Sequence, residues 1–178
     1  MEFSPHIPRA EESSDRGFCK IQGLTNLSLG GTSTESHKTT FAGGAILYLT
    51  ESHYFFMTLG FGEGSNNYAE LLSLKFLLVF ASEKGCKDLS VYGDSLNVIN
   101  WTRGTQQCKN IRLVNILTII LEIKNTFDYF SCRHVYRENN QEADRASKEG
   151  LQMEMGSWKV TEINNGQLQE YTLKSFTE

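Results

Sequence analysis

Residues 62–71 read GEGSNNYAEL and residues 72–84 continue LSLKFLLVFASEK. Within a few positions the chain passes from Gly, Ser and Asn, which favour turns and helix starts, to a long apolar run. Leu71, Leu72, Leu74, Leu77 and Leu78 fall on most sides of a helix, which predicts a helix over 68–84 with little exposed surface. Asn66 or Asn67 is placed to cap it and Gly85 to stop it. Upstream, 41–50 and 54–61 are aromatic and aliphatic with Glu51 and Ser52 between them, and read as two strands of a hairpin. A hairpin therefore feeds a buried helix whose first turn holds one acid, Glu70.

The same alternation continues outward. A first strand is expected over 18–27, followed by a loop rich in Ser, Thr and Gly over 30–40. A short strand over 89–92 ends in Gly93-Asp94-Ser95, and a helix over 95–101 follows. Residues 110–126 have Leu113, Ile116, Leu117, Ile120 and Leu121 at helical spacing. A strand over 129–135 leads to a last helix over 142–150, with Asp144 in its first turn. Three strands followed by alternating helix and strand predict an α/β fold: a mixed five-stranded sheet, three strands antiparallel and two parallel, flanked by helices. Beyond it, 158–163 and 167–173 flank Asn164-Asn165-Gly166, a strong hairpin signal. The expected organisation is a polar disordered arm over 1–16, the α/β domain over 17–150, and a tail over 151–178 holding a small two-stranded appendage.

Composition narrows the class. A chain of 178 residues is one domain by default and can bury a core without staples. Cys19, Cys86, Cys108 and Cys132 form no Cys-x-x-Cys pair and no zinc spacing, so they read as reduced, mostly buried thiols. With no signal peptide and no apolar run near the roughly 18 residues a membrane span needs, the expectation is an intracellular protein, cytoplasmic or nuclear, neither secreted nor membrane-bound. The net charge of −4 runs against the basic face usual in phosphate binders, unless metal ions offset it locally.

Glu70, Asp94 and Asp144 each sit at the edge of a predicted strand or helix. Carboxylates brought together repel unless cations join them, and hard oxygen ligands suit Mg²⁺ or Mn²⁺. Two such ions about 4 Å apart make a device that cleaves phosphodiesters. Each acid also has an ordinary structural use. A first-turn glutamate is favoured by the helix dipole, and Asp94 and Asp144 are both placed as caps.

With Asn66-Asn67-Tyr68-Ala69-Glu70, Gly93-Asp94-Ser95 and residues 134–144 (HVYRENNQEAD) in this order, the sequence resembles the ribonuclease H family. It is most similar to the plant and archaeal-type domains, including those of plant non-LTR retrotransposons, and the resemblance covers roughly residues 19–150. It implies a two-metal endoribonuclease that cuts the RNA strand of a duplex, an RNA/DNA hybrid or double-stranded RNA, read by its 2′-hydroxyls. The metal ligands would be Glu70, Asp94 and Asp144, with His134 aiding product release and Arg137 contacting phosphate. Asn66, Asn67, Gly23, Thr25 and Ser95 would contact the substrate. The expected partner is a duplex containing RNA, and the chain is expected to be a monomer.

One family position departs. The first-strand motif, an Asp-Gly-Ala-Ser-like tetrad, is Gln22-Gly23-Leu24-Thr25 here, so an amide replaces the carboxylate that bridges both ions. A single carbonyl oxygen without charge bridges two cations poorly. Three outcomes stay open: a site working on three carboxylates, rescue by another acid such as Asp15 or Glu35, or an inert module that binds duplex nucleic acid or a protein. Trp101 and Trp158 could stack on bases, though core or edge packing is the plainer use. Lys84, Lys87, Arg103 and Lys109 lie where some relatives carry a basic protrusion, but Glu83 and Asp88 dilute them.

Overall fold

The computed structural model describes residues 16–27, 39–63, 65–150, 153 and 156–174. The expected N-terminal arm, most of the 30–40 loop, Asp15 and Glu35 lie outside the described residues. So do the side chains of Gln22, Thr25, Asn66 and Arg137.

Among the described residues, seven strands form one sheet in the order β5-β4-β1-β2-β3-β6-β7. β1 (Arg16–Leu27), β2 (Thr39–Tyr48) and β3 (His53–Glu63) are the antiparallel meander. β4 (Asp88–Gly93) pairs parallel to β1, and β5 (Tyr129–His134) pairs parallel to β4. These five strands are the mixed sheet expected from the sequence. The tail differs. β6 (Ser157–Asn164) and β7 (Gln167–Lys174) do form a hairpin, turning at Asn165 and Gly166 with φ of 50° and 79°. It is no separate appendage, however, because β6 pairs antiparallel with β3 and extends the sheet. β3 would otherwise be an edge of unpaired backbone groups, which is reason enough for the hairpin to dock.

α1 (Asn66–Glu83) covers one face. Leu71, Leu74, Leu77 and Leu78 are fully buried with Ala45 and Leu47 of β2 and Phe55 and Met57 of β3. Each such side chain contributes about 1.5–3 kcal/mol relative to exposure. α3 (Ile111–Lys124) packs on α1 through Leu113, Leu117 and Ile120, so α1 is enclosed nearly all round. α2 (Leu96–Arg103) leans on β5 and on the other two helices. Ser65, rather than Asn66 or Asn67, caps α1 by accepting from the amide of Tyr68 at 3.2 Å. The helix therefore starts two residues earlier than expected, and Asn67 is free for another use.

α4 (Gln141–Gly150) lies against the sheet across β1, β2 and β3. Its buried side is made of small residues: Ala143, Ala146, Ser147 and Gly150. Gly44 of β2 meets that side so closely that a Cβ there would stand 2.4 Å from the carbonyl oxygen of Ala143 and 2.5 Å from the amide nitrogen of Ser147. Ala42 and Gly44 thus meet α4 while Ala45 and Leu47 join the α1 core, the alternation a strand imposes. Arg145 over the Phe56 ring and the Tyr48 hydroxyl donating to Glu142 fasten the helix at its exposed flank. No helix among the described residues is long and apolar enough to cross a membrane.

Candidate active site

The parallel strands end at the corner where α1 begins. Gly93 closes β4, Asp94 follows, and Ser95 caps α2 by accepting from the amide of Val98 at 3.3 Å. The amide of Ser95 donates to Oε1 of Glu70 at 3.4 Å, and its hydroxyl donates to Oδ1 of Asn67 at 2.9 Å. These two bonds join the first turn of α1 to the end of β4 and bring the Glu70 carboxylate within one peptide unit of Asp94. Glu70 is only 1% exposed, which is rare for a carboxylate without a strong local reason.

His134, inside the strand expected over 129–135, is the last residue of β5. Its Nε2 lies 3.0 Å from the carbonyl oxygen of Asp94. A carbonyl only accepts, so Nε2 bears the proton. The amide of Val135 donates to the carbonyl of Gly93 at 2.9 Å, which ties the β5 exit to the same turn. Cys132, two residues earlier, is buried beneath the corner. Burial pushes its thiol up to about 12 and the nearby Glu70 charge adds to this, while Lys124 and Arg103 oppose it. The thiol therefore stays protonated at neutral pH and is no nucleophile.

The other expected residues are spread over several elements. Gln22, Gly23 and Thr25 lie on β1, in register with Gly44, Gly43 and Phe41 of β2. Since Gly44 is also where α4 rests, the Gln22 position stands one strand from the first turns of α4. Arg137 opens a single 3₁₀ turn, Arg137–Asn139, and Asn66 is the first residue of α1. Asp144 lies in the first turn of α4 as expected, 14% exposed, and its Oδ2 pairs with Nζ of Lys148 at 2.9 Å. Among the described residues, no group of three or more His, Cys, Asp or Glu stands close enough to hold a metal ion. Glu70, Asp94 and His134 are thus gathered at one corner, and Asp144 is brought to the sheet by a separate helix.

Trp101 is 8% exposed within the main core, and Trp158 packs tilted against Phe76 with ring centroids 5.9 Å apart. Both pack rather than present a face for stacking on bases. Sequence reading missed Asn140 and Ser147, polar residues fully buried where α4 begins and rests on the sheet. It also missed Tyr48, whose acceptor Glu142 is 94 positions away. No local pattern marks such pairs.

Among solved structures, ribonuclease H1 from the halophilic archaeon Halobacterium salinarum shares 23% identity with a TM-score of 0.57, covering 76% of this chain and 97% of its own. The N-terminal ribonuclease H domain of a Mycobacterium tuberculosis protein gives 20% identity and a TM-score of 0.61, covering 75% and 93%. LC11-RNase H1, isolated from compost by a metagenomic approach, was solved in complex with an RNA/DNA hybrid; it gives 20% identity and a TM-score of 0.56, covering 76% and 96%. At these identities the likeness establishes the fold. No curated protein matches the chain. The model of the family described as reverse transcriptase-like matches residues 30–150, from between β1 and β2 to the end of α4, and so covers all three acidic segments. With more than half its length matched and a ribonuclease H fold beneath it, the chain belongs to the reverse transcriptase-like family.

Proposed function

We propose that this chain is a metal-dependent endoribonuclease that hydrolyses the RNA strand of a duplex, with its working domain at 17–150 and an intracellular setting. The observation behind this reading is Glu70: a nearly fully buried carboxylate held beside Asp94 at the carboxyl end of two parallel strands. Ligands of open α/β sheets gather at such strand ends. Glu70 and Asp94 offer the hard oxygens that Mg²⁺ or Mn²⁺ prefer, and Asp144 and the Gln22 position would complete the set. Bound there, the ions would supply a water of lowered pKa and charge for the departing 3′-oxygen.

The chain's own groups have distinct work. The Ser95 amide fixes the Glu70 carboxylate, and the protonated Nε2 of His134 holds the Asp94 turn against β5. Asn67, Ser95, Asn66, Gly23 and Thr25 would face the sugars and base edges of the duplex, and Arg137 a phosphate. The 2′-hydroxyls distinguish the strand to be cut. Hybrids bind the LC11 relative, which supports a hybrid as the first substrate to test.

A second reading is favoured by a specific observation. Gln22 replaces the first-strand acid, Asp144 is paired with Lys148, and the described residues gather no three-donor group. These features suit a module that grips duplexes without cutting them. One experiment separates the two readings. Labelled hybrid and double-stranded RNA are incubated with Mg²⁺ and either the wild type or Asp94→Asn, with binding followed in parallel. Cleavage by the wild type that Asp94→Asn abolishes, with binding kept, is the expected result. Binding without cleavage by the wild type would establish the inert module. Equal cleavage by both proteins would show that the chemistry lies elsewhere.

A further inference from the structure

A cleft of about 720 Å³ opens at the β5 edge of the sheet, within the usual range of ligand sites. Three elements converge on it. Arg103 is the last residue of α2, Lys124 is the last of α3, and Arg133 projects from β5. His134 and Cys132 line it as well, and among the described residues no carboxylate does. In a chain with 21 acids against 17 Lys and Arg, a cleft lined by three cations and no acid is a concentration against the overall charge.

The ordinary explanation covers only part of this. Basic residues at helix carboxyl ends complement the macrodipole, which accounts for Arg103 and Lys124. Nζ of Lys124 donates to the carbonyl of Thr102 at 3.0 Å and lies over the Phe130 ring. This ties α3 to the end of α2, and an ammonium keeps two further donors. Arg133 has no helix end to serve. Among the described residues, neither Arg103 nor Arg133 forms an ion pair, and both are exposed. The cleft is also continuous with the corner already described. His134 lines it while bonding the Asp94 carbonyl, so a ligand here is one side chain away from Asp94.

We propose that Arg103, Lys124 and Arg133, with His134, form a grip for the backbone phosphates of the duplex whose strand enters the Glu70–Asp94 corner. This rests on the reading that the chain binds a nucleic-acid duplex, and not on its cutting one. The grip reads no sequence, since cations on phosphates set register and affinity and leave base identity unread. It explains how a chain of net charge −4 engages a polyanion: its cations are gathered at the sheet edge next to the acidic corner.

The test measures affinity for a fluorescein-labelled RNA/DNA hybrid in EDTA, by anisotropy, at several KCl concentrations. Arg103→Ala/Arg133→Ala removes two exposed side chains and leaves the core untouched. Its slope of log affinity against log salt should fall in magnitude by about 2 relative to wild type. Its affinity at low salt should drop roughly tenfold or more. A control double variant, Lys87→Ala/Lys109→Ala, removes the same charge elsewhere and should keep the wild-type slope. Arg133→Lys, which keeps the cation, should lie near wild type.

The grip is overturned if Arg103→Ala/Arg133→Ala binds with the wild-type slope and affinity. It is equally overturned if the control loses as much, or if the wild type does not bind the hybrid. Because EDTA silences the chemistry, a wild type that binds through these arginines yet never cleaves would refute the nuclease reading alone. A cleaving wild type with unaltered binding in Arg103→Ala/Arg133→Ala would refute the grip alone.

Discussion

Replacing Gly44 with Ala puts the seat of α4 to the test. The new methyl would lie 2.4 Å from the Ala143 carbonyl oxygen, 2.5 Å from the Ser147 nitrogen and 2.6 Å from the Ala146 Cβ. Ordinary contact begins near 3.4 Å, so the shortfall against 2.4 Å is about 1 Å. Two of the three atoms are backbone of one helix, so no rotamer change relieves the overlap. α4 must lift bodily, against Gly150, where a Cβ would stand 2.5 Å from the Leu59 carbonyl oxygen. Overpacking of this kind costs about 1–3 kcal/mol. For a domain of this size each kcal/mol lowers Tm by about 2–4 °C, so the expected loss is roughly 2–12 °C by thermal melting. Function should suffer separately, since Asp144 travels with the helix. A displacement of about 1 Å can cost on the order of 100-fold in rate. Hybrid binding through the β5 edge should stay within about twofold, an expectation set by its distance from α4. A Gly44→Ala protein with unchanged Tm and unchanged cleavage would refute both the seating of α4 and the role given to Asp144.

Gln22→Asp restores the acid that the first strand lacks. If this position limits the site, Mg²⁺ affinity by calorimetry and cleavage should both rise, and a tenfold gain needs only about 1.4 kcal/mol of net benefit; flat or falling values would mean a corner rebuilt around the amide. The hairpin should also respond to acid. His53 and the Tyr171 hydroxyl bond the Glu162 carboxylate and hold it below the usual carboxylate range. A lowered pKa gives stability that is present above the unfolded glutamate value of about 4.3 and lost as pH falls through the folded one. Glu162→Gln should therefore melt below wild type at pH 6, with the gap closing toward pH 3; a gap that persists at pH 3 would point to packing instead of charge.

The fold was legible in the sequence because its periods are plain. The apolar run after Glu70, the short strands before Asp94 and Tyr136, and the Asn-Gly turn each specify an element locally. What stayed hidden was non-local. The pairing of β6 with β3 depends on an open edge that only the assembled sheet possesses. The packing of α4 on Gly44 depends on small residues, Ala143, Ala146, Ser147 and Gly150, spaced along a helix that carries no large apolar side chain to mark its buried face. The cap of α1 went to Ser65 because three adjacent residues, Ser65, Asn66 and Asn67, all suit the role and tertiary contacts chose among them; Asn67 binds Ser95 instead. At the candidate site, Glu70, Asp94 and Asp144 were readable from motif and position. The pairing of Asp144 with Lys148, four residues on, was readable too and went unread. Arg103, Lys124 and Arg133 are separated by 21 and 9 positions, and only folding makes them neighbours.

The docked hairpin has a practical consequence for anyone trimming this chain. Similarity to the family stops at residue 150, and a fragment ending there would look complete by alignment. It would lack β6, which lies along β3 from the pair His53↔Asn164 to Leu59↔Trp158. β3 would then present an open ladder bearing Phe55, Phe56 and Met57, the kind of edge that recruits a second chain and seeds precipitation. β7 takes the outside position with a more polar strand, QLQEYTLK, whose Glu170 pairs with Lys159. Charges on an outermost strand discourage sheet-to-sheet association. The expected failure of the trimmed fragment is aggregation, even though every candidate site residue would still be present in it.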